Sequence, residues 1–430
     1  MTDRFIKLSI CVVLFFAGLS IGASASLALE APSPNQAVAY INPTRATEHI
    51  AHPYPMFYDY HVAPHAVKQS GKIFFAYQDE HGRPLSLAYD IASKKWDGPY
   101  RVSTSGLDDD SHGNPSICLD AEGRVHVFFG AHDGPLGHAV SREPLRVDAW
   151  DEVAPAAPHA TYPQSQRLPD SALALFFRSG KHPMPWVLTT SSDQGHSWSE
   201  PINIIEMRRD PKDAKAAAYC TMFPGTRGRS LHCFFIHKDD NAARVIPHPW
   251  RPLKYPGLNE AVYRYNLYYV RRNQNGTWTN LAGEQIDLPI SKRMADEKLL
   301  VFDSADEFTR CTSLAVDSED RPYARFNVGV VDLDREIVPW RTHFASPSKD
   351  NPEKWRIAEG PTDLPKDIQT RLVPEVLPVY DGDSGGISTE WFVRHDVGNF
   401  KQGTGSRLFL GHFVRGWITR NGGPAPPPDL

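Results

Sequence analysis

The 430-residue chain has little cysteine, no excess of basic residues and no sustained helical period. It holds five cysteines, one of them (Cys11) in an N-terminal apolar run. Cys118, Cys220, Cys233 and Cys311 lie in different segments without CxxC spacing. Neither a disulfide-dense scaffold nor a zinc knuckle is signalled. The net charge of −5 gives no reason to expect nucleic acid or an anionic membrane surface as partner. A polyanionic ligand stays compatible with it if positive charge gathers in one cleft. With 37 Pro and 30 Gly, the chain suits many strands and turns and argues against a helical protein.

What is abundant is aromatic, and it repeats. Six times a short aromatic strand, a turn, a second strand and a polar loop close on a tryptophan: Trp96, Trp150, Trp198, Trp278, Trp355 and Trp417. The opening strands include IFFAYQD (73–79), VHVFFGAHD (125–133), LALFFRS (173–179) and LHCFFIHK (231–238). A multi-strand unit repeated every 40–60 residues or so is the sequence sign of a β-propeller. Ser191 to Trp198 fits the S-x-D-x-G-x-x-W box, with Asp and Gly for a tight turn and Trp to fill the space between sheets. A two-sheet sandwich with chance tryptophans is the plainer alternative. The chain exceeds the roughly 250–300 residues one core supports, and a propeller escapes that limit because every blade adds its own core.

The N-terminus reads as an export signal. Arg4 and Lys7 precede an apolar run from Leu8 to about Ala23, and Ala23-Ser24-Ala25 offers small residues for cleavage. A membrane anchor is the alternative, but the run is short for one. No small-residue pair precedes Cys11 as a lipoprotein would need. The expected organisation is residues 1–25 signal, 26–52 lead-in with a blade-closing strand, 53–420 propeller and 421–430 a disordered Pro-rich tail. The expected location is secreted or periplasmic, as a monomer. Segments 239–262 and 281–306 are long insertions, and long loops on a rigid scaffold usually line a binding site.

Aligning the strand before each aromatic strand gives a ring at one channel mouth: His61, His112, Tyr162, Tyr219, Arg310 and, more weakly, Arg371. The next strand runs antiparallel, so its end returns to the same face. Those ends carry Tyr77 with Gln78, His132, Arg178, His237, Asn327 and Arg394 with His395. Strand ends are often polar simply because they meet water. The joint pattern is nonetheless rich in His, Tyr and Arg and poor in carboxylates, although Asp108, Asp109, Asp110 and Asp133 lie nearby. A glycosidase normally needs two facing carboxylates. A His/Tyr/Arg site suits β-elimination beside a uronic acid instead. Arg neutralises the C6 carboxylate, which acidifies the C5 proton. A Tyr or His removes that proton, and an acid protonates the leaving O4. A Tyr base needs positive charge beside it.

Most of the mature chain resembles the BNR-repeat polysaccharide lyases of the ulvan lyase type, which are seven-bladed propellers. The resemblance is carried by SHGNPS (111–116), VFFGAHDG (127–134), TYPQ (161–164), LFFRSG (175–180) and AYCT (218–221). The spacings match as well: 20 residues from His112 to His132, 16 from Tyr162 to Arg178 and 57 from Tyr162 to Tyr219. The resemblance implies that these five positions form the active site. His112 and Tyr162 would handle protons from either side of the sugar. Arg178 with His132 would neutralise the carboxylate, and Tyr219 would hold substrate or assist. His61, His237, Arg310 and Trp250 are added as candidate substrate-binding residues.

Two departures stand beside it. Only six repeats are evident. The seventh blade would be split between the chain ends or lie within 281–306. Some relatives carry a structural zinc, and Cys220, Cys233, His237 and His248 could supply ligands to zinc or calcium. Cys220 and Cys233 could equally be a disulfide or two buried thiols. No cofactor is required for the chemistry. The partner is an anionic polysaccharide, with no nucleic acid and no membrane after signal cleavage. Two other readings compete. A sialidase-type hydrolase would use Arg178, Arg310 and Arg371, but no Tyr–Glu pair stands out for it. A non-catalytic carbohydrate-binding propeller would keep platforms such as Trp250 and Tyr255. Arg244, Arg251 and Lys254 could meet a sulfate, or be solvated loop charges.

Overall fold

The computed structural model describes residues 37–42, 46–49, 62–79, 81–107, 110–239, 264–305, 307–329, 339–361, 364–372, 376–396, 407–412, 414–419 and 424–425. The expected signal segment, His61, and Arg244, His248, Trp250, Arg251, Lys254 and Tyr255 of the first insertion lie outside them. Among the described residues no helix is long and apolar enough to cross a membrane.

Antiparallel strands are taken up in sequence, four at a time. Blade I is Ala66–Gln69, Lys72–Gln78, Pro84–Asp90 and Lys95–Arg101. Blade II is Ser116–Leu119, Val125–Phe129, His132–Ser141 and Trp150–Glu152. Blade III is Ala157–Arg167, Leu173–Arg178, Trp186–Ser191 and Ile202–Ile205. Blade IV is Ala216–Pro224, Leu231–Asp239, Arg264–Arg272 and Trp278–Thr279. Blade V is Phe308–Val316, Pro322–Gly329, Trp340–Pro347 and Trp355–Glu359. Blade VI is Val376–Asp381, Gly386–Asp396 and Arg407–His412, with Ala46–His49 pairing as its fourth strand. The first strands of blades VI and I pair in parallel, Tyr380 opposite Val67. This succession of meanders returning on itself is a β-propeller.

Six four-stranded blades are thus complete among the described residues. A separate three-stranded sheet joins Ala37–Asn42, Val414–Thr419 and Pro424–Ala425. Segment 281–306, one place expected for a seventh blade, holds instead the helix Lys292–Lys298 and the strand Leu300–Phe302, which pairs with blade IV. The tail read as unable to form sheet contributes Pro424 and Ala425, paired with Ile418 and Trp417. A two-residue edge strand tolerates a proline that lacks an N–H.

The second strands of blades I, II and III are apolar at most positions because both their faces are covered. In Lys72–Gln78, Ile73, Phe75 and Tyr77 pack with Trp391 and Val393 of blade VI. Phe74 and Ala76 belong to the core that holds Ile117 and Val127 of blade II. Strand alternation sends odd and even residues into different inter-blade cores, so no polar face is left. Trp96, Trp150, Trp278 and Trp355 each pair opposite the last or next-to-last residue of their blade's third strand. Trp198 just precedes the fourth strand of blade III and meets Phe128 of blade II edge-on, centroids 5.6 Å apart. Trp355 of blade V likewise covers Phe234 and Tyr269 of blade IV. Trp417 departs from the series: it lies on the separate sheet.

The 191–198 turn is built on Asp193, whose Oδ1 accepts from Ser191 Oγ and Ser197 N and whose Oδ2 accepts from Ser197 Oγ. Those bonds hold its carboxyl down at about 2. Gly195 has φ +81°, and a Cβ there would come 2.8 Å from His138 of the neighbouring blade.

First strands, and the segment leading into blade I, touch directly. Ala63 O accepts from Ser116 Oγ at 2.5 Å and from Ser165 N at 3.0 Å. Gln164 bonds Cys220 O and Met222 N with its two amide atoms, at 3.0 and 2.6 Å. Tyr380 donates to Met222 O. First strands held this close bring neighbouring blade mouths within side-chain reach of one another.

Candidate active site

Tyr162 owes its place to a broken ladder. On the first strand of blade III, Thr161 pairs with Arg178 and Gln164 with Phe176, so one extra residue bulges out. Pro163 has no N–H for the ladder, and Tyr162 takes φ +61°, a conformation bulky residues rarely adopt. Its ring lies parallel to Trp186, centroids 5.9 Å apart. Arg178 ends the next strand, only 2% exposed, with Cζ 4.9 Å from the Tyr162 centroid. Its Nε donates to Gly180 O at 3.0 Å, the carbonyl that also accepts from Thr161 Oγ1. Gly180 has φ +105°, and a Cβ there would press on Asp133 Oδ1 at 2.9 Å.

Blade II supplies the histidines. His112 sits in the single 3-10 turn Ser111–Gly113 before the first strand, rather than on it. His132 opens the third strand rather than ending the second. The rings stack at 3.8 Å with 9° between planes. His112 Nδ1 bonds Asp110 Oδ1 at 2.5 Å, and His132 Nδ1 bonds Asp110 Oδ2 at 2.7 Å. The His112 backbone N–H also donates to Asp110 Oδ1, and Gln78 Nε2 donates to Asp110 O. Burial would raise the Asp110 carboxyl, but the His112 and His132 donors hold it below the usual range. Burial lowers His112, aided by His132 and Arg178 and opposed by Asp110. The ring is therefore neutral near pH 7.

Tyr219, on the first strand of blade IV, completes the cluster. Its ring is 5.9 Å from Tyr162, and the Tyr162 ring is 5.2 Å from His112. Arg264 Cζ lies 4.3 Å and Lys238 Nζ 5.7 Å from the Tyr219 centroid. Burial would raise the Tyr219 phenol. Lys238, Arg264 and Arg178, with a hydrogen bond from Tyr162, outweigh it and hold it below the usual tyrosine value.

The structure thus brings His112, His132, Tyr162, Arg178 and Tyr219 into one connected cluster. Of the other candidates, His237 and Arg371 are placed differently from expectation. His237 pairs opposite Ala218, which puts it on the sheet face away from Tyr219, against Tyr265. Lys238, one residue on, takes the place expected of it. Arg310 is exposed on blade V opposite Asn327. Arg371 is not on a first strand at all: it ends the helix Lys366–Arg371 and donates to Val316 O. Tyr77 is buried in the blade I–VI core, its phenol pushed up by that burial. His61 and Trp250 lie outside the described residues, as do the side chains of Arg394 and His395.

Of the four residues named for a metal, His248 lies outside the described residues. Cys220 and Cys233 are buried thiols outside any disulfide, and with His237 they do not gather into a three-ligand group. Among the described residues the one such group is Asp110, His112 and His132, whose ligand atoms already bond one another. Asp110, Lys238 and Arg264 are the functional candidates that sequence reasoning passes over or leaves without a role. Asp110 has a local signal, a carboxylate two residues before a histidine. Lys238 and Arg264 stand at either end of an insertion, and only the strand register unites them.

A propeller with a His/Tyr/Arg cluster shared by neighbouring blades, in place of a facing carboxylate pair, is the class that fold and site define. The chain belongs to the BNR repeat-containing family, whose profile matches residues 72–329. It is 28% identical over 291 residues to an ulvan lyase of Alteromonas sp. (strain LOR), covering 62% of this chain and 58% of that protein. It is 26% identical over 371 residues to the PL25 ulvan lyase of Pseudoalteromonas sp. (strain PLSV), covering 78% and 72%. The chain therefore spans less than two thirds of the Alteromonas protein. A PL25 ulvan lyase structure bound to -[GlcA(1-4)Rha3S]- superposes with a TM-score of 0.60 at 21% identity, covering 89% of this chain and 87% of that one.

Proposed function

We propose that this protein is a polysaccharide lyase that cleaves ulvan or a similar sulfated, uronate-containing polysaccharide by β-elimination. The carrying observation is the His112 ring side by side with the cation-flanked Tyr162–Tyr219 pair. Relatives named ulvan lyase support the substrate class.

In this scheme a uronate enters with its C6 carboxylate toward Arg178. Neutralising that carboxylate stabilises the enolate that forms when C5 loses its proton. His112 or Tyr162 takes the proton. The C4–O4 bond then breaks, O4 leaves with a proton from the other residue, and a C4–C5 double bond remains. A neutral imidazole suits the base role, and a phenol beside an arginine suits either. Tyr219 and its two cations hold the sugar against the pair. The reading has the protein exported, secreted or periplasmic, acting as a monomer with no cofactor in the chemistry.

The test is absorbance near 235 nm on mixing with ulvan, glycosaminoglycans, alginate and pectin. A rise on a uronate polymer is expected, because only elimination makes the conjugated double bond. Binding without any rise would favour a carbohydrate-binding propeller. New reducing ends without absorbance would favour a hydrolase.

A further inference from the structure

We propose that Asp110 is a positioning residue that fixes one tautomer of both histidines, with the proton on Nδ1 and the Nε2 nitrogens unprotonated. This rests on the lyase reading and deepens it. One carboxylate meets both Nδ1 atoms, Oδ1 on His112 at 2.5 Å and Oδ2 on His132 at 2.7 Å. An ionised carboxylate only accepts, so each Nδ1 must donate, and a ring without a second proton keeps its lone pair on Nε2. The two donors reach different oxygens of one planar group, and the rings stand 9° from parallel. Asp110 thereby sets the direction of both rings as well as their protons. It is itself held from behind, since its backbone carbonyl accepts from Gln78 Nε2 and Gly113 N. In the elimination, His112 can then act first only as a proton acceptor.

Asp110→Asn keeps the size and one acceptor oxygen, enough for the His112 backbone N–H. The other atom becomes an NH₂ donor, so one histidine must move its proton to Nε2 or lose its bond to residue 110. Turnover of Asp110→Asn on ulvan should fall by about 10²–10⁴-fold, the range seen when a histidine's orienting partner is lost. KM and the melting temperature should change little. A residue that only caps the turn would not give that split. The second measurement needs no activity: imidazole ¹⁵N signals of the wild-type protein at pH 8, assigned with His112→Gln and His132→Gln. Both histidines should report a protonated Nδ1 and an unprotonated Nε2. A proton on Nε2 of either ring overturns the proposal, and so does a folded Asp110→Asn with wild-type turnover. If no uronate polymer is cleaved, the lyase reading fails while the ¹⁵N signals still decide the tautomer.

Discussion

Blade II contains two clusters of two histidines and one aspartate, and they are wired differently. In one cluster, His112 and His132 bond in parallel to the two oxygens of Asp110, and both remain partly open to solvent. Deeper in, the bonds run in series. His138 Nε2 bonds His126 Nδ1 at 2.9 Å, and His126 Nε2 bonds Asp120 Oδ2 at 3.1 Å, with both rings buried. Phe128 stacks on His138, and Trp198 and Gly195 of blade III close over it. The same three side-chain types thus make a solvent-open pair in one place and an inter-blade clamp in the other. Access and the direction of each nitrogen decide between them. Burial holds His138 neutral, its proton affinity well below normal, with His126 and His196 adding to the effect.

The contrast is broken most sharply by removing one histidine from each cluster. His112→Ala should lower turnover on the order of 10²–10⁴-fold, as loss of a general acid–base does, with an almost unchanged unfolding curve. Its size should depend on whether glucuronate or iduronate is cut, because the two epimers present the C5 proton on opposite faces. Tyr162→Phe should stop transfer on both. Equal losses for both variants on both epimers would reject two proton-handling residues.

Arg178→Ala should cost about 10²–10³-fold in kcat. Arg178→Lys should regain little, since lysine is a point charge and lacks the Nε that holds Gly180 O. A variant with normal kcat and only a raised KM would make Arg178 a binding group.

The clamp should show the reverse profile. His138→Ala is expected to cost about 2–3 kcal/mol of stability by denaturant titration, from a lost buried bond and packing. The kcat of the folded molecules should survive. Lost turnover at unchanged stability would erase the distinction between the clusters.

The smallest effect is in pH. The folded state leaves His138 unprotonated, whereas the unfolded chain takes the proton below the ordinary value of 6.5. Stability should therefore fall as pH drops through that value, by roughly 1.4 kcal/mol per unit for each such histidine. His232, buried and lowered with Asp320 opposing, adds in the same direction. His138→Gln should flatten the acid limb, and an unchanged slope would mean that His138 is not the group responsible.

Much of the fold and of the site is legible in the chain itself. The tryptophan-closed repeat announces the propeller because blade packing needs one large plug per unit. The His112, His132, Tyr162, Arg178 and Tyr219 set follows from aligned strand ends and from family spacings. Sequence reasoning fails where one residue of register matters. His237 and Lys238 look equally apt in sequence, yet alternation turns one toward Tyr265 and the other toward Tyr219. Arg371 aligns by its place in the repeat, and a helical turn carries it off the first strand.

The sequence by itself determined the architecture and the chemical types at the site, because strand period, turn residues and plug tryptophans are local patterns. Only the tertiary structure decided which nitrogen of each histidine meets which carboxylate oxygen. It also decided that two cations from opposite ends of an insertion flank one tyrosine. Those facts depend on distances between blades, set by how the first strands lock together, and no spacing along the chain encodes them.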